Sequence, residues 1–221
     1  MMIGTRLKVL GFNLIEECKV ALFFYTKSLK LFFADLYFHA LYLTENPFRT
    51  SRKFLQKKGQ DDVYKYGETP ITTFFKIIEK TKVTSNDSFL ELGAGRFRTL
   101  FFLNIIKKCA ASGVEVIPSF CQKAIQLKKA FSLEGFDVLE KDFYDLDLSH
   151  YSVIYLYGTS MSDFEIFKLI ERFKKLSNTV KIITISYPLS DYSNHFKIID
   201  KFPVRFPWGI TSAYIQTSVQ K

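Results

Sequence analysis

The 221-residue sequence predicts an α/β fold: a mostly parallel seven-stranded sheet ending in an antiparallel hairpin, preceded by an N-terminal helical extension. Three observations predict it. Short apolar, β-branched runs alternate with helical patterns from residue 69 onward. A glycine-rich turn joins the first of these strands to a helix. The chain closes on two strand-like runs with no helix between them, which suits an antiparallel pair.

The elements follow in order. Thr69-Pro70 reads as an N-cap with proline at the first helical position, and the helix continues through ITTFFKIIEKTK. Ser88–Leu92 is the first strand. Gly93-Ala94-Gly95 then leads into the helix FRTLFFLNIIKKCAA, expected to stop near Ser112-Gly113. Strands are expected at 114–117, 136–139, 152–157 and 180–187, with a helix over 122–131 between the first two. Ser162 and Glu165 form a capping-box pattern that opens a helix ending near Leu176. The last two strands fall near 196–204 and 212–219, separated by FPWGI. Repeated strand–helix units imply a parallel sheet with helices on both faces.

Ahead of this domain, assigned to 64–221, residues 1–63 read as a basic, aromatic-rich helical extension and linker. With 48% hydrophobic and 17% aromatic residues, the chain can build a large core. The formal charge of +9 is uneven, because the first 60 residues hold ten Lys/Arg against four Asp/Glu. That bias suits an anionic partner: a membrane surface, a nucleic acid or an acidic protein. Residues 20–43 are apolar but interrupted by Lys27, Lys30, Asp35 and His39, so a spanning helix is not expected. They read as one amphipathic helix, lying on the domain or peripherally on a membrane. Residues 46–68, broken by Pro47 and Gly59, read as a linker. Cys18, Cys109 and Cys121 are odd in number and lack CxxC spacing, which points away from a disulfide framework and towards a reducing cytoplasm. His39, His150 and His195 lack metal-ligand spacing, so no metal is expected. Ser160 and Ser162 have no His-Asp arrangement, which disfavours a hydrolase triad. Trp208 reads as a packing residue of the hairpin turn.

The chemistry concentrates at the strand ends. Gly93 and Gly95 let the backbone adopt positive φ and approach a ligand closely. Glu91, just before the turn, can meet a ligand amino group. Glu115, about twenty residues after the glycines and at the end of the second strand, can accept two ribose hydroxyls. After the third strand, Asp142 can accept from an adenine amino group and Phe143 can stack on it. All of these positions face the carboxyl edge, where open α/β sheets bind ligands.

Glu91-Leu-Gly93-Ala-Gly95 resembles the first motif of class I S-adenosylmethionine-dependent methyltransferases, with their Rossmann-like fold. More narrowly, the chain is similar to small protein-lysine methyltransferases with mitochondrial membrane-associated and bacterial members. Tyr66-Gly67-Glu68-Thr69-Pro70, Gly113-Val114-Glu115-Val116-Ile117-Pro118, Asp147-Leu148-Ser149 with Val153-Ile154-Tyr155-Leu156-Tyr157, and Tyr187-Pro188-Leu189-Ser190-Asp191-Tyr192 carry the likeness, which spans about residues 64–192. It implies S-adenosylmethionine as cofactor and a protein, at lysine, as methyl acceptor. It also implies that Tyr66, Glu68 and Thr69 form a lid over the cofactor, that Tyr157 lines the acceptor pocket as the catalytic-site candidate, and that Tyr187 completes its wall. The family pattern is Gly-x-Gly-Asp-Gly-Arg. Here Arg96 replaces the Asp and Phe97 the third Gly, while Arg98 matches. Phe97 is expected to take an ordinary helical φ and to weaken cofactor binding or reshape the pocket. A catalytically silent module that binds a partner or membrane is the alternative. A dinucleotide oxidoreductase is disfavoured, because Arg98 stands where GxGxxG requires glycine. A nucleic-acid methyltransferase stays open on charge, although no Asn-Pro-Pro-aromatic motif follows the fourth strand.

Overall fold

The computed structural model describes residues 2–60 and 62–219, with side chains from residue 7 onward; residues 1, 61, 220 and 221 of the two assigned segments lie outside it. Seven strands form one sheet: β1 (Ser88–Leu92), β2 (Ala110–Glu115), β3 (Phe136–Glu140), β4 (Val153–Leu156), β5 (Lys181–Ile185), β6 (Phe196–Phe206) and β7 (Gly209–Ser218). Their order is β3-β2-β1-β4-β5-β7-β6. The first five are parallel, and β7 pairs antiparallel to both β5 and β6. The expected sheet and hairpin are therefore present. The central strands are buried on both faces, which accounts for their near-continuous apolar sequence. Phe89, Ala111, Tyr155 and Ile183 face one layer, and Leu90, Val114, Ile154 and Ile182 the other.

The first layer contains α4 (Ile71–Thr81), α5 (Arg98–Lys107) and α6 (Pro118–Ala130); α7 (Asp163–Phe173) covers the second. The capping box of Ser162 and Glu165 opens α7 as expected. Several expected boundaries shift: α6 begins at Pro118 rather than 122 and β2 at Ala110 rather than 114. Helix α5 ends at Lys107, and Ser112-Gly113 lies inside β2 rather than at a helix stop. The reason is close packing: a Cβ on Gly113 would fall 2.3 Å from Leu100 Cδ1 and 2.6 Å from Phe97 Cε1. Glycine lets α5 settle directly on β2. Helix α4 is capped at Pro70, not Thr69, whose hydroxyl instead meets Tyr155 Oη at 2.6 Å.

The first 60 residues are not one amphipathic helix and a linker. They form α1 (Met2–Val20), a π-helical turn over Ala21–Tyr25, α2 (Leu29–Leu41) and α3 (Pro47–Lys57). Ser28 caps α2 by accepting from Leu31 N at 3.1 Å, which breaks the long helix that hydrophobicity alone suggests. Asn46 caps α3 with Pro47 at its first turn, so residues 47–57 of the 46–68 stretch expected as linker are helical. Val20, Phe24, Leu31, Ala34, Phe38 and Tyr42 bury one continuous stripe in the first layer's core. The arm also caps the domain: Glu16 accepts from Thr72 N and Thr72 Oγ1, both at 2.7 Å, at the start of α4, where Pro70 offers no side-chain cap. Among the described residues no helix is long and apolar enough to cross a membrane.

Candidate functional site

The site lies along the carboxyl edge of β1, β2, β4 and β5. Strand β1 ends in a turn whose Gly93 and Gly95 have φ of +74° and +54°. Gly93 N and Ala94 N both donate to Val114 O at 3.0 Å, pinning the turn to β2. Space above Gly93 is open, so a ligand can approach its backbone. Phe97 also takes a positive φ, +64°, contrary to the expected helical value. It is wholly buried beneath the turn, with its ring 6.3 Å from that of Phe136. Burial of a large ring offsets a conformation that costs an L residue about 1–2 kcal/mol.

The two acids beside the turn are held differently. Glu115 Oε2 accepts from Gly95 N at 2.8 Å, and Oε1 from Val116 N and Ile117 N at 2.8 and 3.0 Å. Burial raises its pKa against these three bonds. Two carboxylate oxygens offer about four lone-pair sites, so one acceptor position remains for a hydroxyl. Glu91 Oε2 accepts from Thr99 Oγ1 at 2.5 Å. Burial pushes Glu91 up to about 8, with the Glu115 charge adding and the Thr99 bond opposing, so Glu91 is largely protonated at neutral pH. Asp142 is exposed and accepts from Tyr144 N at 2.9 Å, capping the short turn Phe143–Asp145; Phe143 is half-buried, 4.6 Å from the Tyr144 ring.

Residues 65–69 cross this edge as a strap. Lys65 pairs with Glu165 at 2.9 Å, and Ser160 Oγ donates to Lys65 O at 3.2 Å. The Tyr66 ring lies over Gly95, where a Cβ would come within 3.1 Å of it, and its hydroxyl donates to Glu68. Glu68 also accepts two bonds from Arg96, at 2.5 and 2.6 Å. Gly67 is pressed against Tyr157, so closely that a Cβ would sit 2.6 Å from the ring. Tyr157 in turn faces Phe206 at 5.2 Å and accepts from Trp208 Nε1 at 3.0 Å. Trp208 is thus more than a packing residue: the hairpin brings it to the end of β4. Beside it, the buried hydroxyl of Tyr187 has no partner among the described residues and lies close to Gly158.

The structure therefore gathers Tyr66, Glu91, Gly93, Gly95 and Glu115 around the glycine turn, while Thr69 is held against Tyr155 of β4. Tyr157 and Tyr187 lie beyond the strap, and Asp142 and Phe143 sit on the loop after β3. Arg96 does not enter the site: its guanidinium stacks on Phe38 and Tyr42, at 4.7 and 4.9 Å, besides pairing with Glu68. Sequence reasoning missed the arm's share. Arg98 donates to Glu17 at 2.6 and 2.7 Å and to Asp35 at 2.6 and 2.8 Å. Burial pushes Asp35 up, but Arg98 outweighs it and leaves its pKa below the usual carboxylate range. A lone Asp in the apolar run LFFADLYF was the available signal. Glu17, Asp35 and His39 bring possible ligand atoms within 4.8 Å of one another, yet both carboxylates are engaged by Arg98.

A family model described as histone methylation protein DOT1 matches residues 50–155, from α3 into β4. No curated protein matches the chain in sequence. Solved structures do match in shape. An RNA methyltransferase from Salinibacter ruber in complex with S-adenosyl-L-homocysteine is 18% identical, covering 70% of this chain and 95% of its own, at a TM-score of 0.59. A mutant of MtNAS in complex with S-adenosylmethionine is 15% identical, covering 89% and 76%, at 0.56. The B. subtilis tRNA methyltransferase TrmK is 12% identical, covering 71% and 68%, at 0.55. The fold is that of the S-adenosylmethionine-dependent methyltransferases. The strand order, with β7 antiparallel between β5 and β6, agrees with it.

Proposed function

We propose that the protein is a class I S-adenosylmethionine-dependent methyltransferase that methylates a protein acceptor at lysine. The observation that carries the cofactor reading is the joint placement of an open glycine turn and Glu115, whose carboxylate is bonded to Gly95 N. The donor set fits the cofactor: exposed backbone at Gly93, a carboxylate with acceptor capacity at Glu115, and acidic and aromatic groups at Asp142 and Phe143. The DOT1 match and the fold support methyl transfer. The lysine acceptor rests on the sequence resemblance.

Bound S-adenosylmethionine supplies an electrophilic methyl on a sulfonium. The chain's part is alignment and exclusion of water. Glu115 would hold the ribose, and the strap, tied down at Lys65 and Glu68, would close over the cofactor with Tyr66 against the turn. Tyr157 has its hydroxyl oriented by the Trp208 N–H, leaving a lone pair to accept from an amine N–H. Burial of the amine against Tyr157 and the buried Phe206 would favour its neutral form by desolvation. No dedicated base is needed. Arg96 and Phe97, which motivated the silent alternative, point into the arm and beneath the turn.

Isothermal titration with S-adenosylmethionine tests the cofactor reading. Micromolar binding, lost in Glu115→Ala, is expected; no binding to the folded wild type sinks it. Transfer of labelled methyl to lysine peptides rather than to RNA tests the acceptor, and transfer to RNA alone would replace the protein reading. Peripheral membrane contact is the partner reading for residues 20–43. Leu22, Phe23, Leu29, Phe33, Leu36 and Leu43 face outward beside Lys27 and Lys30. Co-sedimentation with anionic liposomes that weakens with salt is expected, and equal recovery with and without lipid would refute it.

A further inference from the structure

Arg98 opens α5, three positions after Gly95, and its planar fork is committed to the arm. Two bonds reach Glu17 on α1 and two reach Asp35 on α2, whose second oxygen also accepts from Tyr25. Arg96, one residue after Gly95, lies over the adjoining rings of Phe38 and Tyr42 of the same arm and is tied to the strap by Glu68. Both charged side chains after the second glycine are therefore anchored in segments distant in sequence. Bidentate charge-assisted bonds are strong and strict in geometry. Between the two arginines, Phe97 holds a left-handed conformation, which persists only where the surroundings over-determine it. The other ion pairs of this region, Lys65–Glu165 and Lys123–Glu45, hold the strap and the arm to helices and do not touch the turn.

We infer that Glu17 and Asp35 are positioning residues of the cofactor site: through Arg98 they hold the 93–97 turn in its binding geometry. Seating of α1 and α2 on the domain and binding of the cofactor are then coupled, and the coupling is reciprocal. Breaking the Arg98 contacts to Glu17 and Asp35 loosens the turn, and the bound cofactor in turn tightens those contacts. The binding half of this inference rests on the cofactor reading above; the structural half rests on the fold alone.

The test compares wild type with Asp35→Asn and with Leu31→Ala, which leaves a cavity in the same arm but keeps the ion pairs. Amide hydrogen exchange of the ligand-free protein is expected to speed at least tenfold across residues 93–98 in Asp35→Asn and not in Leu31→Ala. Titration with S-adenosylmethionine is expected to show at least tenfold weaker binding for Asp35→Asn, with Leu31→Ala within twofold of wild type. Saturating S-adenosylmethionine is expected to slow tryptic cleavage at the exposed Lys27 and Lys30. If the wild type does not bind the cofactor, the proposed function falls while exchange still decides the clamp. Matching exchange and affinity in the two variants overturn the inference. Should Asp35→Asn fail to fold, Glu17→Gln, whose carboxylate is partly exposed, carries the same readouts.

Discussion

The end of the sheet built on β1 and β2 and the end built on β4, β5 and the hairpin are held by different forces. At the first, charge is locked in place: Glu115 binds three backbone amides, Arg98 two carboxylates, and Arg96 one carboxylate and two rings. At the second, rings lean on one another and a single indole bond orients Tyr157, with Trp208 55% exposed. A locked turn suits a cofactor of constant shape. A half-exposed aromatic wall suits an acceptor that arrives and leaves. Removing parts should therefore cost stability at the first end and acceptor selectivity at the second.

Arg98→Ala should cost the most. It leaves Asp35, with 3% of its side chain exposed, as an uncompensated buried charge. Breaking such a pair costs about 3–5 kcal/mol, read as a shift in the urea midpoint. A loss below about 1 kcal/mol would mean that water screens the cluster as it does a surface pair, and the contrast between the two ends would fail.

Gly113→Ala comes next, because the added Cβ meets Leu100, Phe97 and Ala94. Overpacking of this kind costs about 1–3 kcal/mol and should lower the melting temperature. A neutral result would show that α5 can lift from β2 without strain.

The acid of β1 gives a pH signature. The folded pKa of Glu91, about 8, lies above its unfolded value of 4.5, so the native state binds the extra proton between them. Stability from this group is present below the unfolded value and is lost as pH rises towards 8. The slope is at most about 1.4 kcal/mol per pH unit. Glu91→Gln keeps a partner for Thr99 and should flatten this part of the profile in denaturation measured across that range. An unchanged profile would place the titration elsewhere.

The sheet was legible because short apolar, β-branched runs and capped helices are local signals, as the capping box at Ser162 and Glu165 illustrates. The turn and the acids at its flanks were legible because positive φ and strand-end carboxylates leave marks at short spacing. The arm was not, for a physical reason. Its partners are long-range: Asp35 meets Arg98 across 63 positions, and no periodicity encodes that distance. Ser28 and Asn46 were local caps within a stretch whose hydrophobicity suggested one helix and whose charge suggested a linker. Phe97 defied the rule that bulky residues avoid positive φ, because a void beneath the turn, shaped by Gly113 and Phe136, accepts its ring.

Trp208→Phe should have the smallest effect on stability and the most specific effect on function. Phenylalanine preserves the stack on Phe206, where the rings lie 5.2 Å apart and 10° from parallel, and removes only the N–H that reaches Tyr157. Water can replace that donor at a half-exposed site, so the stability loss should stay below about 1 kcal/mol. In the proposed reaction the affinity for S-adenosylmethionine should not change, while KM for the acceptor rises several-fold because the Tyr157 hydroxyl loses its orientation. Parallel loss of cofactor affinity would show that the two ends respond as one unit. The strap, which touches both Gly95 and Tyr157, would then be the element that joins them.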